Sequence, residues 1–411
     1  MIKKVKLECG LELILNQDKT KHRTIADLYI KAGGFDNKFY YNNKYYNQPY
    51  GIAHFLEHYL LEHSMYGNIM NYFGKEYIGS NGFTSAHKTN YYISTVHDFK
   101  KNLFILLDVI NKPLFDDEII DNTKQPIISE IGKKNDNKYV ELYEKVFESV
   151  FNNKVYNINL GSIEDINKMT IQDIEIFYNA FYQPSNQVLF LTGNFDDDIV
   201  DDINDYYNNL NKEYIDFKKE EIVEPKEVVN KDISVNTQVK DSLFVLSYKV
   251  DISFLTPLER NKFDYYIYYI FESNFGTKSE LSNYLFQNKY TNFNIRFNYD
   301  AEFIKNYAFI SLNVLTSKID DVINLIFKAF NNLKLDEADF KKWINNRIID
   351  MINRYENIGS ITKSYIDNMF LYDLDKHDDI EFLNSLNLGE LKEIMNKLDF
   401  SNFSIVRNVV E

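Results

Sequence analysis

Three of the chain's seven histidines fall within Gly51–His63, the stretch GIAHFLEHYLLEH. His54 and His58 stand four residues apart, which on a helix puts both rings on one face one turn from each other, and Glu57 borders that face. Two imidazoles aimed at one point beside a carboxylate are the groups a catalytic zinc site uses: three protein ligands, an open position, and a carboxylate free to take a proton. The order H-F-L-E-H is the inverted form of the H-E-x-x-H arrangement. A third ligand has to come from elsewhere. Glu130, in QPIISEIGKK beside Ile127, Ile128 and Ile131, is a candidate, because a charge buried in an apolar run is costly unless something offsets it. Glu141 and Glu144, on the next predicted helix, are its rivals. His22, His63, His87, His97 and His377 lie off the shared face or in charged, loop-like surroundings and are expected to be surface or supporting residues.

The elements that must position these groups follow from local pattern. Val5–Leu15 alternates around Gly10 and reads as two short strands, and Thr24–Ala32 as another. Gln48–Gly67 reads as a helix. Gly79-Ser80-Asn81-Gly82 is a turn signal, followed by the strand-like FTSAHKTNYYISTV. Asp117–Glu130 reads as a helix that Pro126 should kink or restart, since proline removes a donor and disfavours helix at Gln125. Gln187–Thr192 is an apolar run ending in Gly193-Asn194, and reads as a buried strand.

Composition bounds the rest. At 411 residues with 45% apolar side chains, the chain is expected to form two domains. The charged, proline-containing stretch at 218–231 is the expected linker, between a domain at 1–217 and a second at 232–411. The second half repeats the cycle of strand, long helix, strands and helices, and its tail NFSIVR echoes QVLFLTGN, so the halves read as two copies of one α+β unit. A formal charge of −15 argues against a nucleic-acid partner. The single cysteine, Cys9, excludes an intrachain disulfide and fits a reducing compartment. With no signal-like h-region and no long apolar run, a cytoplasmic protein without a membrane span is expected.

In context the motif resembles the pitrilysin/insulinase family of inverted zinc peptidases, which includes the mitochondrial processing peptidases and smaller bacterial relatives. Gly51–His58 looks like the family's G-x-A-H-F-L-E-H. Ser80–Tyr92 is similar to its N-A-x-T-S-x-x-x-T-x-Y strand, with Gly82 where alanine is usual. Gln183–Asn194 resembles its Y-x-P-x-N-x-x-L-x-x-x-G-N element. The resemblance implies two similar domains, each a mostly antiparallel sheet with helices packed on one face, together half of a clamshell. It implies zinc held by His54, His58 and Glu130, with Glu57 as general base. Asn81, Gly82, Phe83 and Thr84 would belong to an edge strand that pairs with an extended peptide substrate.

In the second half, complete family members carry an arginine and a tyrosine seven residues apart that stabilise the developing oxyanion. Here Phe286 and Phe293 fall at those places, and phenylalanine has no donor to offer. Since family enzymes close four such units around a chamber, the resemblance implies a heterodimer with a related chain that lacks the metal motif, or else a homodimer. The expected function is a zinc endopeptidase acting on peptides or unfolded segments. The alternative is a non-catalytic, peptide-binding or chamber-forming partner subunit.

Overall fold

The computed structural model describes residues 2–210, 212, 214–292, 295–304, 306–375 and 380–409. The chain divides into two compact units. One comprises Met1–Lys133, Asn157–Glu221 and Asn357–Thr362, and the other Lys134–Tyr156, Ile222–Glu356 and Lys363–Glu411.

In the first unit the strands are, in chain order, β1 (Lys3–Lys6), β2 (Glu12–Gln17), β3 (Thr24–Ile30), β4 (Lys38–Tyr41), β5 (Lys44–Asn47), β6 (Gly79–Thr84), β7 (Thr89–Thr95), β8 (Gln187–Gly193) and β9 (Phe217–Lys219). Six of them form one sheet in the order β1-β2-β8-β3-β7-β6. β2 and β8 run parallel, and the other neighbours are antiparallel. The apolar run of β8 is buried along its whole length, as its lack of alternation requires. Leu13, Ala26, Leu28, Leu189, Leu191, Tyr91 and Ile93 project from one face into a core shared with the helices Ile52–Glu62, Phe99–Asn111 and Ile171–Phe181.

The second unit's strands are β10 (Asp232–Val235), β11 (Leu243–Asp251), β12 (Arg296–Ile304), β13 (Tyr307–Leu315) and β14 (Phe403–Asn408). Their order is β10-β14-β11-β13-β12, with β10 and β14 parallel and the rest antiparallel. This repeats the order β2-β8-β3-β7-β6 strand for strand. Each unit is thus a mostly antiparallel α+β layer structure with helices on the core face. In the second unit a further helix, Tyr139–Val150, lies on the opposite face, where Ser404 Oγ donates to Ser149 Oγ at 2.8 Å and Phe147 packs on Phe309.

That helix precedes the expected linker in sequence yet belongs to the second unit, and residues 357–362 belong to the first. The boundary falls inside 218–231, but that stretch is not a solvated tether. Phe217–Lys219 pairs with β4, and Glu224 forms a fully buried ion pair with Lys249 at 2.6 Å. A buried lysine and glutamate can only be tolerated as such a pair, with Asn152 and Asn153 backbone N–H groups also donating to Glu224.

Two local expectations change. Pro126 does not break its helix, which runs Ile120–Asn135. Pro126 lies on the exposed side of the helix, while Thr123, Ile127 and Ile131 anchor the buried side across it. Gly79–Gly82 is also strand, not turn: the reversal comes at Ser85–Lys88, where Ser85 N–H donates to Lys88 C=O and Gly34 N–H to Ser85 C=O.

Candidate metal centre

The helix Ile52–Glu62 begins at Gly51, whose φ of +84° is open to glycine at little cost. A Cβ there would also lie 2.6 Å from Leu160 C=O. Phe55, Leu56, Tyr59 and Leu60 are buried in the core, which orients the opposite edge of the helix toward β6. His54 and His58 then present their rings edge to face, with centroids 4.7 Å apart.

Glu130 completes a group of three. Its Oε2 lies 3.6 Å from His54 Nε2 and 3.7 Å from His58 Nε2. Among the described residues these three form the group whose donor atoms all lie within 4.8 Å of one another, and neither Glu141 nor Glu144 joins it. Ligands of one tetrahedral zinc sit about 3.3 Å apart, given bonds of about 2.0–2.1 Å, so the two Glu130–histidine distances are a few tenths of an ångström longer than an ion would draw them. Two imidazoles and a carboxylate are also the right donor set for a site with an open position. The reason Glu130 stands there is not burial, however. Its side chain is 51% exposed, and Ile127 and Ile131 point the other way, into the core.

Glu57 is nearly enclosed. Thr84 Oγ1, from the end of β6, donates to its Oε2 at 2.7 Å. Its other oxygen faces Gly82, where an added Cβ would come within 2.8 Å of Oε1 and 2.9 Å of Leu61 Cδ1. Gly82 is therefore a close-approach glycine. Burial pushes the Glu57 carboxyl up to about 7, with Glu130 adding repulsion, against the pull of the Thr84 hydrogen bond and of His58. Burial opposes a charged His58, but the hydrogen bond to Glu62 and the surrounding carboxylates outweigh it and raise the ring's pKa.

The cavity over these groups, about 400 Å³, is walled on one side by Asn81, Gly82, Phe83 and Thr84. β6 is the last strand of its sheet, pairing with β7 alone among the described residues. Phe83 is 44% exposed there, whereas the Thr84 side chain is turned inward onto Glu57. Asn81 Oδ1 accepts from Gly82 N–H at 3.0 Å.

Five lining residues, Leu61, Glu62, Asn68, Met70 and Asn159, were not expected from sequence. Asn159 donates to Thr84 C=O at 2.9 Å, closing the end of β6. Met70 follows from the next helix, Ile69–Lys75, and Glu62 from the histidine helix itself. Only Glu62 had a visible signal, its four-residue step from His58. Of the two phenylalanines at the expected arginine and tyrosine places, Phe286 is 62% exposed on the helix Glu280–Gln287, and Phe293 lies outside the described residues.

Two units of the same strand order, one of them with an inverted His-Glu-His helix over its edge strand, define the metallopeptidase class that the sequence resembles. The insulinase family (peptidase family M16) matches residues 12–162, and the family's "inactive domain" matches residues 168–347. The chain belongs to the M16 pitrilysin/insulinase family, in its small two-domain form. It is similar to the uncharacterized zinc protease YmfH of Bacillus subtilis, 26% identical over 410 residues that cover 95% of this chain and 92% of the relative. Its fold is similar to that of an M16-like peptidase from Alicyclobacillus acidocaldarius, with a TM-score of 0.86 and 19% identity over 100% of this chain and 98% of the other. A protease from Helicobacter pylori gives a TM-score of 0.77 at 18% identity, covering 99% of each chain. Against pitrilysin the TM-score is 0.74 at 19% identity, and all of this chain covers 45% of that one. No helix among the described residues is long and apolar enough to cross a membrane.

Proposed function

We propose that this chain is a zinc-dependent endopeptidase that cleaves peptides or unfolded segments, and the catalytic subunit of a heterodimer. The observation that carries this is the convergence of His54, His58 and Glu130 within 4.8 Å beside an enclosed carboxylate that is not part of the ligand group. Relatives named zinc proteases support the choice of metal. A zinc ion bound by these three residues supplies Lewis acidity, polarising a peptide carbonyl and acidifying a water.

The chain's own residues do the rest. Thr84 occupies Glu57 Oε2, leaving Oε1, the oxygen on the Gly82 side, to accept a proton from the attacking water and return it to the leaving amine. The free edge of β6 binds an extended peptide through backbone groups, which orients the scissile bond without demanding a particular sequence. Phe83 offers an apolar contact to one substrate side chain, and Asn81 must release Gly82 N–H for pairing to extend past it. The heterodimer is supported by Phe286, which brings no donor to the place where an arginine is expected.

Metal analysis and turnover of an unstructured fluorogenic peptide test the reading together. The wild-type chain is expected to hold about one zinc, and His54→Ala or His58→Ala to lose it, since two ligands hold a catalytic zinc poorly. Glu57→Gln should keep the zinc and lose roughly a hundredfold or more in turnover, while Glu130→Gln weakens the metal itself. Zinc lost from Glu57→Gln but kept in Glu130→Gln would reverse the two roles.

A further inference from the structure

We infer that Glu62 is a positioning residue for His58, an inference that rests on the zinc reading above. The two ring nitrogens of His58 have different surroundings. Nε2 faces Glu130, 3.7 Å from Oε2, whereas Nδ1 lies 3.2 Å from Glu62 Oε1. Glu62 stands one turn further along the same helix, so the pair is built by the helix itself. A carboxylate that accepts from Nδ1–H selects the tautomer whose Nε2 lone pair is free, holds the ring plane, and makes Nε2 a better donor to a cation.

The contact continues outward. Glu62 Oε2 lies 3.9 Å from His63 Nε2, and that nitrogen is 3.1 Å from the hydroxyl of Thr123. Thr123 is fully buried in the helix Ile120–Asn135, two turns before Glu130. The His63–Thr123 contact therefore joins the end of the histidine helix to the helix that brings the third carboxylate, and Glu62 lies between it and His58. Glu62 is outside the ligand group. Its place is behind the ring, where it fixes the ring's direction before any cation arrives.

Zinc dissociation constants, measured by chelator competition on metal-stripped wild-type, Glu62→Gln and Glu62→Leu proteins, test this directly. Glu62→Leu is expected to weaken zinc by about 10- to 100-fold, as loss of such an outer hydrogen bond does in other sites. Glu62→Gln keeps an acceptor without the charge, and should fall between Leu and wild type. The unfolding temperature of the metal-free proteins should not change, which separates positioning from a general structural role. Wild-type affinity in both variants overturns the inference, and should Glu62→Leu fail to fold, wild-type affinity in Glu62→Gln overturns it alone. His54→Ala, measured alongside, keeps the two readings apart. Full zinc retention there defeats the site assignment, whereas zinc loss there with unaltered Glu62 variants defeats only the role of Glu62.

Discussion

In the first unit the helix Ile52–Glu62 lies against the edge strand β6, and across that junction Thr84 donates a hydrogen bond to Glu57. In the second unit the helix Pro257–Phe275 lies against the edge strand β12, and across that junction Phe271 stacks on Phe297 with centroids 4.5 Å apart. Tyr268 meets the same Phe297 ring edge-on at 5.6 Å. Strand order, strand directions and the helix-on-edge arrangement are the same in both. What differs is the type of side chain placed at the junction. A stack of aromatic rings is complete in itself, since it leaves no buried polar atom to satisfy. A buried carboxylate is not, and its surroundings have to supply Thr84, the gap at Gly82 and the nearby histidines. Architecture alone therefore does not make a site; the residues grafted at one junction do.

The comparison can be broken most severely at the level of assembly. If the second unit brings no oxyanion donor, the isolated chain should show trace turnover of an unstructured peptide. A related partner chain carrying the arginine and tyrosine should raise turnover by about 100- to 1,000-fold. A purified homodimer at full rate, unimproved by any partner, would show that the second unit is not deficient.

At the aromatic junction, Phe271→Ala should cost about 3–5 kcal/mol of stability, the usual range for truncating a fully buried ring. Zinc content of the folded protein should not move. Denaturant midpoints and metal analysis on one preparation would read both, and zinc loss without destabilisation would mean that the junction has a role beyond packing.

The far faces of the two sheets differ too. At the middle of its central strand the second sheet sets Ser247 directly opposite Ser311 and Ser404, small side chains with no charge, while Lys249, two residues on, is held in its pair with Glu224. The first sets Asp27 in β3, where burial pushes the carboxyl from 3.8 up to about 7 against a weak contact from Asn90. The fold therefore favours the protonated acid. Stability from this group is intact below pH 3.8, declines as pH rises toward 7, and stays low above it. Asp27→Asn removes that decline, so its advantage over wild type should widen by about 2–3 kcal/mol between pH 5 and pH 8. Urea midpoints at the two pH values give the answer, and a constant difference would mean that Asp27 is ionised throughout.

The smallest expected effect sharpens the polar junction. In Gly82→Ala the new methyl must displace Glu57 Oε1 or Leu61. Turnover should fall about tenfold, a cost near 1.4 kcal/mol, with zinc retained. A fully active variant would show that Glu57 has room to move.

His54, Glu57 and His58 were legible because a helix needs only a spacing of three or four residues to gather side chains, and the apolar residues between them say which face is inward. Glu62 follows from the same rule. The repeat of strand order was visible in outline, since apolar runs such as Gln187–Gly193 are stereotyped. Tertiary structure decided the rest. Glu130 stands beside the two histidines, but not as a buried charge: it is half-exposed, carried on a helix whose isoleucines are anchored elsewhere. The glycines at 79 and 82 looked like a turn, because glycine permits both a reversal and a close approach, and only the presence of Glu57 opposite Gly82 distinguishes them. The placing of helix Tyr139–Val150 in the second unit and the burial of Glu224 with Lys249 also lay beyond the sequence. Local spacing is written into neighbouring residues, whereas a contact across a hundred positions exists only once the chain has folded and each buried charge has found its partner.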